Sequence, residues 1–392
     1  LSATRDGFIR DNFRATDVQC NGLSYHQFSL ACLARAYDIS NKKWLKKYFY
    51  KASQFTQAMQ LSNGEIGYTG RGANSIYHLC SGIYGMALDF KTSSDPKSLE
   101  NCLRSVSYLE SHVTPSTLLP TCLNEFADQR MGWNATSIPY NAQSAYFLHH
   151  SLLALKNSNV EMLSQSHSKK VGWKFRPLTD SGFARIGNEK INIVVSESGA
   201  SRPWSGYHHH TGAGGLASLS ICGLEMLLHL DYSVREKLYV SDMPTLLLNN
   251  STVIPSRIWI SDSNSGSINV FIKFKEGLLL DRRYDLTSQG VRIETKILKS
   301  SRKVIGGYLE GDIKIPIRYK FTVLQSEQDL IVKDNDQILC TLKINKMAQK
   351  SDKPWDFIDV KSNTQGKGLI LQSSPLLIQK STKALSIFEI II

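Results

Sequence analysis

Gly182-Phe183-Ala184-Arg185-Ile186-Gly187-Asn188-Glu189-Lys190-Ile191-Asn192-Ile193-Val194-Val195-Ser196 divides the chain into two textures. Phe183, Arg185 and Gly187 alternate with their neighbours, and so do Ile191, Ile193 and Val195. A period of two places successive side chains on opposite faces of a strand. Upstream the period is helical, over Ser24–Tyr37, Lys42–Met59, Asn74–Leu88, Ser98–His112 and Asn141–Lys156. Loops rich in Gly, Pro, Ser and Asn separate these runs. Downstream, strand-like runs follow one another: Arg257–Ile260, Ile268–Phe274, Val291–Ile297, Lys314–Val323, Asp329–Val332, Leu339–Ile344, Leu369–Gln372 and Ala384–Ile392. Strands in succession without helices argue for an antiparallel sandwich. Gly214–Leu230 reads as an apolar helix or a buried strand, and Ser158–Lys170 as a polar linker. The expected fold is α+β and multidomain: a helical-hairpin domain, of (α/α) toroid type, over 1–168, then an antiparallel β-sandwich over 169–392.

The chain has 392 residues, of which 42% are hydrophobic and 20% charged, which excludes a disordered tail, a collagen-like fibre and a disulfide miniprotein. No apolar run approaches the roughly 18 residues that a spanning helix needs, so no membrane span is expected. Lys and Arg number 46 against 34 Asp and Glu, a net charge of +12 that favours a polyanionic partner. The excess is dispersed, with no arginine-rich arm and no paired Cys/His finger spacing, so nucleic acid is not the expected partner. The 7 cysteines (Cys20, Cys32, Cys80, Cys102, Cys122, Cys222, Cys340) are widely spaced, and no C-x-x-C occurs. They read as neither a disulfide framework nor a structural zinc site, and Cys32, Cys80 and Cys102 are expected in the core. The chain begins Leu-Ser-Ala-Thr and shows no signal peptide, so a removed leader or a natural N-terminus further upstream is expected.

Four constellations carry candidate chemistry. Asp6-Gly7 leads to Asn21-Gly22-Leu23-Ser24-Tyr25-His26, where Tyr25 and His26 open a helix. A tyrosine at a cleft acts as a general base when a neighbour stabilises its phenolate; the plain alternative is a buried tyrosine beside an ordinary histidine. Asn63–Ser75 holds four glycines in nine residues, with Arg71 suited to gripping a carboxylate and Asn74 either binding or capping a helix. Arg130–Asn141 offers Trp133 as a sugar platform, Asn134 and Asn141 as carboxyl-binding amides, and Tyr140 as a reserve acid or base. Ser201–Gly215 contains Trp204, Tyr207, His208, His209 and His210. In an extended segment His208 and His210 point the same way and suit a divalent metal, zinc or calcium, while a half-neutral imidazole such as His208 suits acid–base work. The carboxylates Glu65, Asp89, Glu125 and Asp128 form no recognisable pair in the sequence, and no serine-hydrolase elbow occurs.

The order of these features resembles the heparinase II/III-like polysaccharide lyases. The resemblance rests on Ser24-Tyr25-His26 and on Tyr207–His210, within a layout of helical hairpins, the 182–195 strand pair and a long β region. It implies an (α/α) toroid joined to an antiparallel β domain. It also implies β-elimination on an acidic, uronate-containing polysaccharide. Tyr25 and His26 would then serve proton transfer. Asn21, Arg71, Asn74, Trp133, Asn134, Asn141, Trp204, Tyr207 and His209 would bind substrate. His208 and His210 would line the cleft or hold a metal. No cofactor is required. The helical part, at about 165 residues, is short for a full toroid, so a second chain or an upstream segment is expected to complete it. Such an enzyme would be secreted or periplasmic. Two further classes remain open: a glycoside hydrolase on the same scaffold using Glu65 and Asp128, and a non-catalytic binding or assembly protein for an acidic exopolysaccharide.

Overall fold

A computed structural model describes residues 3–10, 22–68, 75–113, 138–156, 179–197, 215–227, 244–249, 251–253, 255–264, 266–310, 312–318, 320–326, 329–346, 355–362, 366–379 and 384–392. The chain is α+β. It forms two compact units, the first of residues 1–13, 21–172 and 363–366 with the described α-helices, the second of residues 14–20, 173–362 and 367–392 with nearly all of the described strand residues.

The helical unit holds α1 (Leu23–Ser40), α2 (Lys43–Met59), α3 (Ile76–Ser93), α4 (Pro96–Glu110) and α5 (Ile138–Lys156). The turns after α1 and α3 use the same device. Asn41 (φ 51°) and Ser94 (φ 56°) take the left-handed conformation, and their N–H groups donate to the carbonyls of Tyr37 and Phe90. A left-handed residue at this place ends a helix cleanly, so the next can fold back at once. Asp95 then caps α4 by accepting from the Lys97 N–H, with Pro96 in the first turn. α1, α3 and α5 run in one direction. Tyr25 meets His78 and Tyr77 meets Tyr140 near their starts, and Tyr84 meets Phe147 two turns on. α3 is the centre of the unit, buried from Ile76 to Phe90 without a break. The five described helices make two and a half hairpins.

Between α2, α3 and α4 lies a polar seam. Gln57 Nε2 donates to Asp89 Oδ2 (3.0 Å) and to Ser98 Oγ (3.0 Å), and Ser98 Oγ donates to Asp89 Oδ2 (3.1 Å). Asp89 has no cation in that seam among the described residues, and burial raises its pKa against the pull of the serine hydroxyls. A carboxyl whose folded pKa is raised costs stability as pH rises from its unfolded value through its folded one, and the cost persists above that. Asp89→Asn keeps the shape and removes the charge. It is expected to raise the melting temperature at pH 7 by about 2–4 °C, with the gain vanishing near pH 3; thermal denaturation at both pH values checks this, and no gain at pH 7 would refute it.

The described residues of the β unit form four sheets, antiparallel in every pairing whose register is resolved. One is formed by β1 (Phe183–Gly187), β2 (Ile191–Ser196), β3 (Leu216–Ile221) and β4 (Leu224–Glu225). Gly214–Leu230 therefore contributes strands, the second of the two expected readings. Next come β5 (Thr245–Leu248), β6 (Ser251–Val253), β7 (Arg257–Ser263), β8 (Ser267–Lys273), β9 (Leu279–Leu286), β10 (Gly290–Lys299), β11 (Tyr308–Glu310), β12 (Lys314–Arg318), β13 (Phe321–Ser326) and β14 (Asp329–Asp334). β15 (Gln337–Lys346), β16 (Trp355–Ser362), β17 (Gly366–Ser373), β18 (Leu376–Leu377) and β19 (Ala384–Ile391) follow. The largest sheet has the order β13-β14-β15-β19-β10-β9-β8-β7; the other two are β18-β11-β5-β6 and β12-β17-β16. All four sheets contribute side chains to one apolar cluster, among them Ile193, Leu246, Val270, Leu309, Ile315, Leu371 and Phe388. The single run expected over Lys314–Val323 is in fact two strands in different sheets.

Inside that cluster Arg282 of β9 points inward. Its Nη2 donates to Asp312 Oδ1 at 2.7 Å and to the Asp312 carbonyl, and its Nε donates to Thr295 Oγ1 at 3.3 Å. Ser386 of β19 donates to the other carboxylate oxygen. Arg282 and Asp312 are both essentially sealed from water. Of the cysteines expected in the core, Cys80 and Cys102 are buried, as is Cys340, with thiol pKa values pushed up to about 12 by burial. Such thiols are inert. Cys32 is instead exposed, because α1 turns that position away from α3.

Candidate functional site

The Asp-Gly and Tyr-His constellation separates into two halves. One half is a clamp. Residues 3–10 fold back on themselves through an Ala3–Ile9 bridge, and Gly7 (φ +96°) lies so close to α2 that a Cβ would sit 2.2 Å from the Lys51 carbonyl oxygen. This close approach, in the left-handed region, is what glycine supplies here. The Ile9 N–H then donates to His26 Nδ1 at 3.0 Å. His26 Nε2 therefore carries the ring proton and is shared between the Ala52 carbonyl (3.2 Å) and Thr56 Oγ1 (3.1 Å). Thr56 Oγ1 donates onward to Gln27 Oε1 at 3.0 Å. The ring packs against Phe8 and Phe55.

His26 is fully buried, and desolvation lowers its pKa to about 3 against a small opposing pull from the Ala52 carbonyl. The expected acid–base role of His26 is thus corrected: both nitrogens are engaged in holding α1 to α2 and to the 3–10 segment. The unfolded chain protonates this histidine near pH 6.5 and the folded chain near pH 3, so its contribution is complete above about 6.5 and is lost as pH falls through that window. The loss amounts to about 1.4 kcal/mol per pH unit. Urea denaturation at pH 7, 5.5 and 4.5, comparing wild type with His26→Gln, should show the wild type losing stability more steeply; parallel losses would refute it.

The other half faces a different way. Tyr25, next along α1, is partly buried, and its ring meets the His78 ring edge-on at 5.2 Å. His78 adjoins Tyr77 (3.8 Å), and Tyr77 stacks on Tyr140 at 4.3 Å and 12°. The structure thus brings Tyr25 and Tyr140, 115 positions apart in the sequence, into one line of rings across the first turns of α1, α3 and α5. Asn141, beside Tyr140, is exposed there. Gly67 (φ +68°) packs against the same place, where a Cβ would meet Gln27 Cγ at 3.3 Å, Ser24 Cα at 3.4 Å and His78 Cβ at 3.6 Å. The first described glycines of that segment thus lead past Ser24, Gln27 and His78.

No acidic residue occupies the first turn of α1, α3 or α5, and neither α1 nor α3 has a side-chain cap among the described residues. Three helix N-termini present their partial positive charge at one end of the unit, an environment that favours an anion. One aromatic and one carboxylate of the Asn63–Ser75 segment are buried. Tyr68 is in the core, its hydroxyl donating to the Met59 carbonyl at 3.0 Å. Glu65 is 1% exposed, in a turn closed by Asn63.

Asn21, Arg71, Asn74, Trp133, Asn134, Trp204, Tyr207, His208, His209 and His210 lie outside the described residues, as do Asp128 and Glu125. The described residues contain no cluster of three or more His, Cys, Asp or Glu able to hold a metal, and no helix among them is long and apolar enough to cross a membrane.

His78 and Tyr77 were not singled out from the sequence. A signal was present: Tyr-His stands at 25–26 and again at 77–78, each in the first turn of a helix.

No family model matches the chain, and no curated protein matches it. Among solved structures it is similar to heparinase III, with 10% identity, 92% of this chain and 60% of that chain covered, and a TM-score of 0.45. It is similar to the heparan sulfate lyase HepC from Pedobacter heparinus, with 11% identity, 93% and 59% coverage and a TM-score of 0.41. It is also similar to 4-alpha-glucanotransferase from Thermococcus litoralis, with 9% identity, 95% and 56% coverage and a TM-score of 0.36. The chain spans less than two thirds of the length of each of these. Likenesses at this level carry no weight for the chemistry of the site.

Proposed function

We propose that the chain is a polysaccharide lyase that cleaves an acidic, uronate-containing polysaccharide by β-elimination. The observation that carries this reading is the line Tyr25–His78–Tyr77–Tyr140 at the shared N-terminal end of α1, α3 and α5. The reaction needs a base at C5, an acid at the glycosidic oxygen, and positive potential near the uronate carboxylate. Tyr25 takes the C5 proton as phenolate, and the C–H electrons become the C4–C5 double bond. The C4–O bond breaks, and the leaving oxygen takes a proton from Tyr140. His78 sets the position of the Tyr25 ring. The three helix N-termini draw the carboxylate in and stabilise the charge that develops on it as the C5 proton leaves. Asn141 binds substrate beside Tyr140, and Asn21, Arg71, Asn74, Trp133 and Asn134 are assigned to carboxylate and sugar binding. The mechanism uses no cofactor; a zinc or calcium ion on His208 and His210 belongs to the same proposal. A polymer substrate places the enzyme outside the cytoplasm, secreted or periplasmic.

The hydrolase reading needs Glu65 as one of two accessible carboxylates, and the burial of Glu65 speaks against it. The test is incubation with a panel of polyuronates, reading the ultraviolet absorbance of the new double bond conjugated to the carboxylate. Absorbance growing with time on one polymer supports the lyase. New reducing ends without that absorbance mean hydrolysis, and silence in both assays means a binding protein.

A further inference from the structure

The eight-stranded sheet carries a second patch, on the face turned away from its core. Ile258 and Ile260 of β7 and Val270 and Ile272 of β8 are buried inward. Strand alternation then turns Arg257, Trp259, Asn269, Phe271 and Lys273 to the other face. Trp259 and Phe271 are direct cross-strand partners, with ring centroids 5.2 Å apart at 62°. The Arg257 guanidinium lies 4.9 Å from the Trp259 ring.

Three features of this patch are not explained by the sheet itself. Arg257 stands directly opposite Lys273, and both are exposed. Like charges in register oppose each other, and no acidic side chain pairs with either among the described residues. The next strand, β9, sets Asp281 beside Phe271 and Arg283 beside Asn269. Asn269 Oδ1 and Asp281 Oδ1 are both shielded from water and accept no hydrogen bond. An unused acceptor is costly to shield, and two adjoin the same aromatic pair.

We infer that this face binds an acidic saccharide, with the C–H face of a sugar ring on Trp259 and Phe271, hydroxyls donating to Asn269 Oδ1 and Asp281 Oδ1 once the side chains covering them move aside, and a carboxylate or sulfate between Arg257 and Lys273. Each unexplained feature is what one part of such a ligand needs. A sugar is apolar on its ring faces and rich in donors at its rim. A nucleic acid strand uses the cations and the indole equally well, but its phosphates are acceptors and meet two further acceptors here. The patch lies wholly in the β unit and does not depend on the reading of Tyr25.

The test is affinity electrophoresis of the full chain in gels holding alginate, pectate, hyaluronan, heparan sulfate, neutral dextran or duplex DNA. Retardation by at least one acidic glycan and not by dextran is expected. Trp259→Leu and, separately, Arg257→Gln with Lys273→Gln should each weaken it roughly tenfold, the second pair also flattening its salt dependence. Circular dichroism and melting temperature establish that each variant is folded; if Trp259→Leu is not, Phe271→Leu takes its place. Tyr25→Phe should leave retardation unchanged, so a chain without lyase activity that still shows Trp259-dependent binding sustains this inference alone. Four outcomes overturn it: no acidic glycan retards the chain, dextran retards it equally, the variants bind as wild type does, or DNA binds as tightly and only the cation pair matters.

Discussion

Tyr25→Phe abolishes most of the ultraviolet signal on whichever polyuronate the wild-type chain cleaves, by about 10²–10⁴ in kcat, the usual worth of a positioned general base. The substitution removes one oxygen from a partly buried ring and leaves its edge contact with His78 in place. KM and melting temperature should therefore hardly change. His26→Gln gives the opposite pattern: a lower melting temperature and, at a temperature where the variant is folded, nearly unchanged kcat, because both nitrogens of His26 are committed to the fold. Two adjacent residues thus separate activity from stability. If Tyr25→Phe keeps within threefold or so of wild-type kcat, the proton leaves by another group and the proposed mechanism is wrong.

Asp312→Ala is expected to destabilise the β unit by about 3–5 kcal/mol, the cost of stranding one member of a buried ion pair. Arg282 would keep its charge among neutral partners, Thr295, Tyr284 and the backbone carbonyl of position 312, and Ser386 would lose its acceptor. Replacing both partners, Arg282→Met with Asp312→Leu, should cost far less, since a well-packed apolar pair of similar volume often substitutes without loss. Guanidinium denaturation of the two variants and of wild type, followed by Trp fluorescence, measures the difference. A single variant within 1 kcal/mol of wild type would show that water reaches Arg282. The pair fixes strand register: it joins β9, the segment before β12 and β19, which are far apart in sequence.

The two textures of the chain were legible because periodicity is local. All five described α-helices were expected within a few residues, since each apolar stripe repeats at helical spacing around α3. The strands with apolar inward faces, such as β8 and β10, were equally visible. β9 was not, because Asp281-Arg282-Arg283-Tyr284-Asp285 reads as a solvated turn until Arg282 is seen to have Asp312 inside the core. The short strands β5, β6, β11 and β18 were missed for a related reason: they become strands by pairing with partners that the local pattern does not name.

The candidate site divides in the same way. The sequence by itself determined that Tyr25 opens α1, that a glycine-rich segment follows α2, and that Tyr140 stands next to the start of a helix. It could not say which neighbour in a Tyr-His pair meets the core, because one helical residue turns the side chain by about 100°. Only the packing of α1 on α2 turned His26 inward, and only the parallel course of α1, α3 and α5 set Tyr25, His78, Tyr77 and Tyr140 in line. Helical period is written in residues a few positions apart; the meeting of three helix ends depends on contacts across more than a hundred, and the tertiary structure alone decided it.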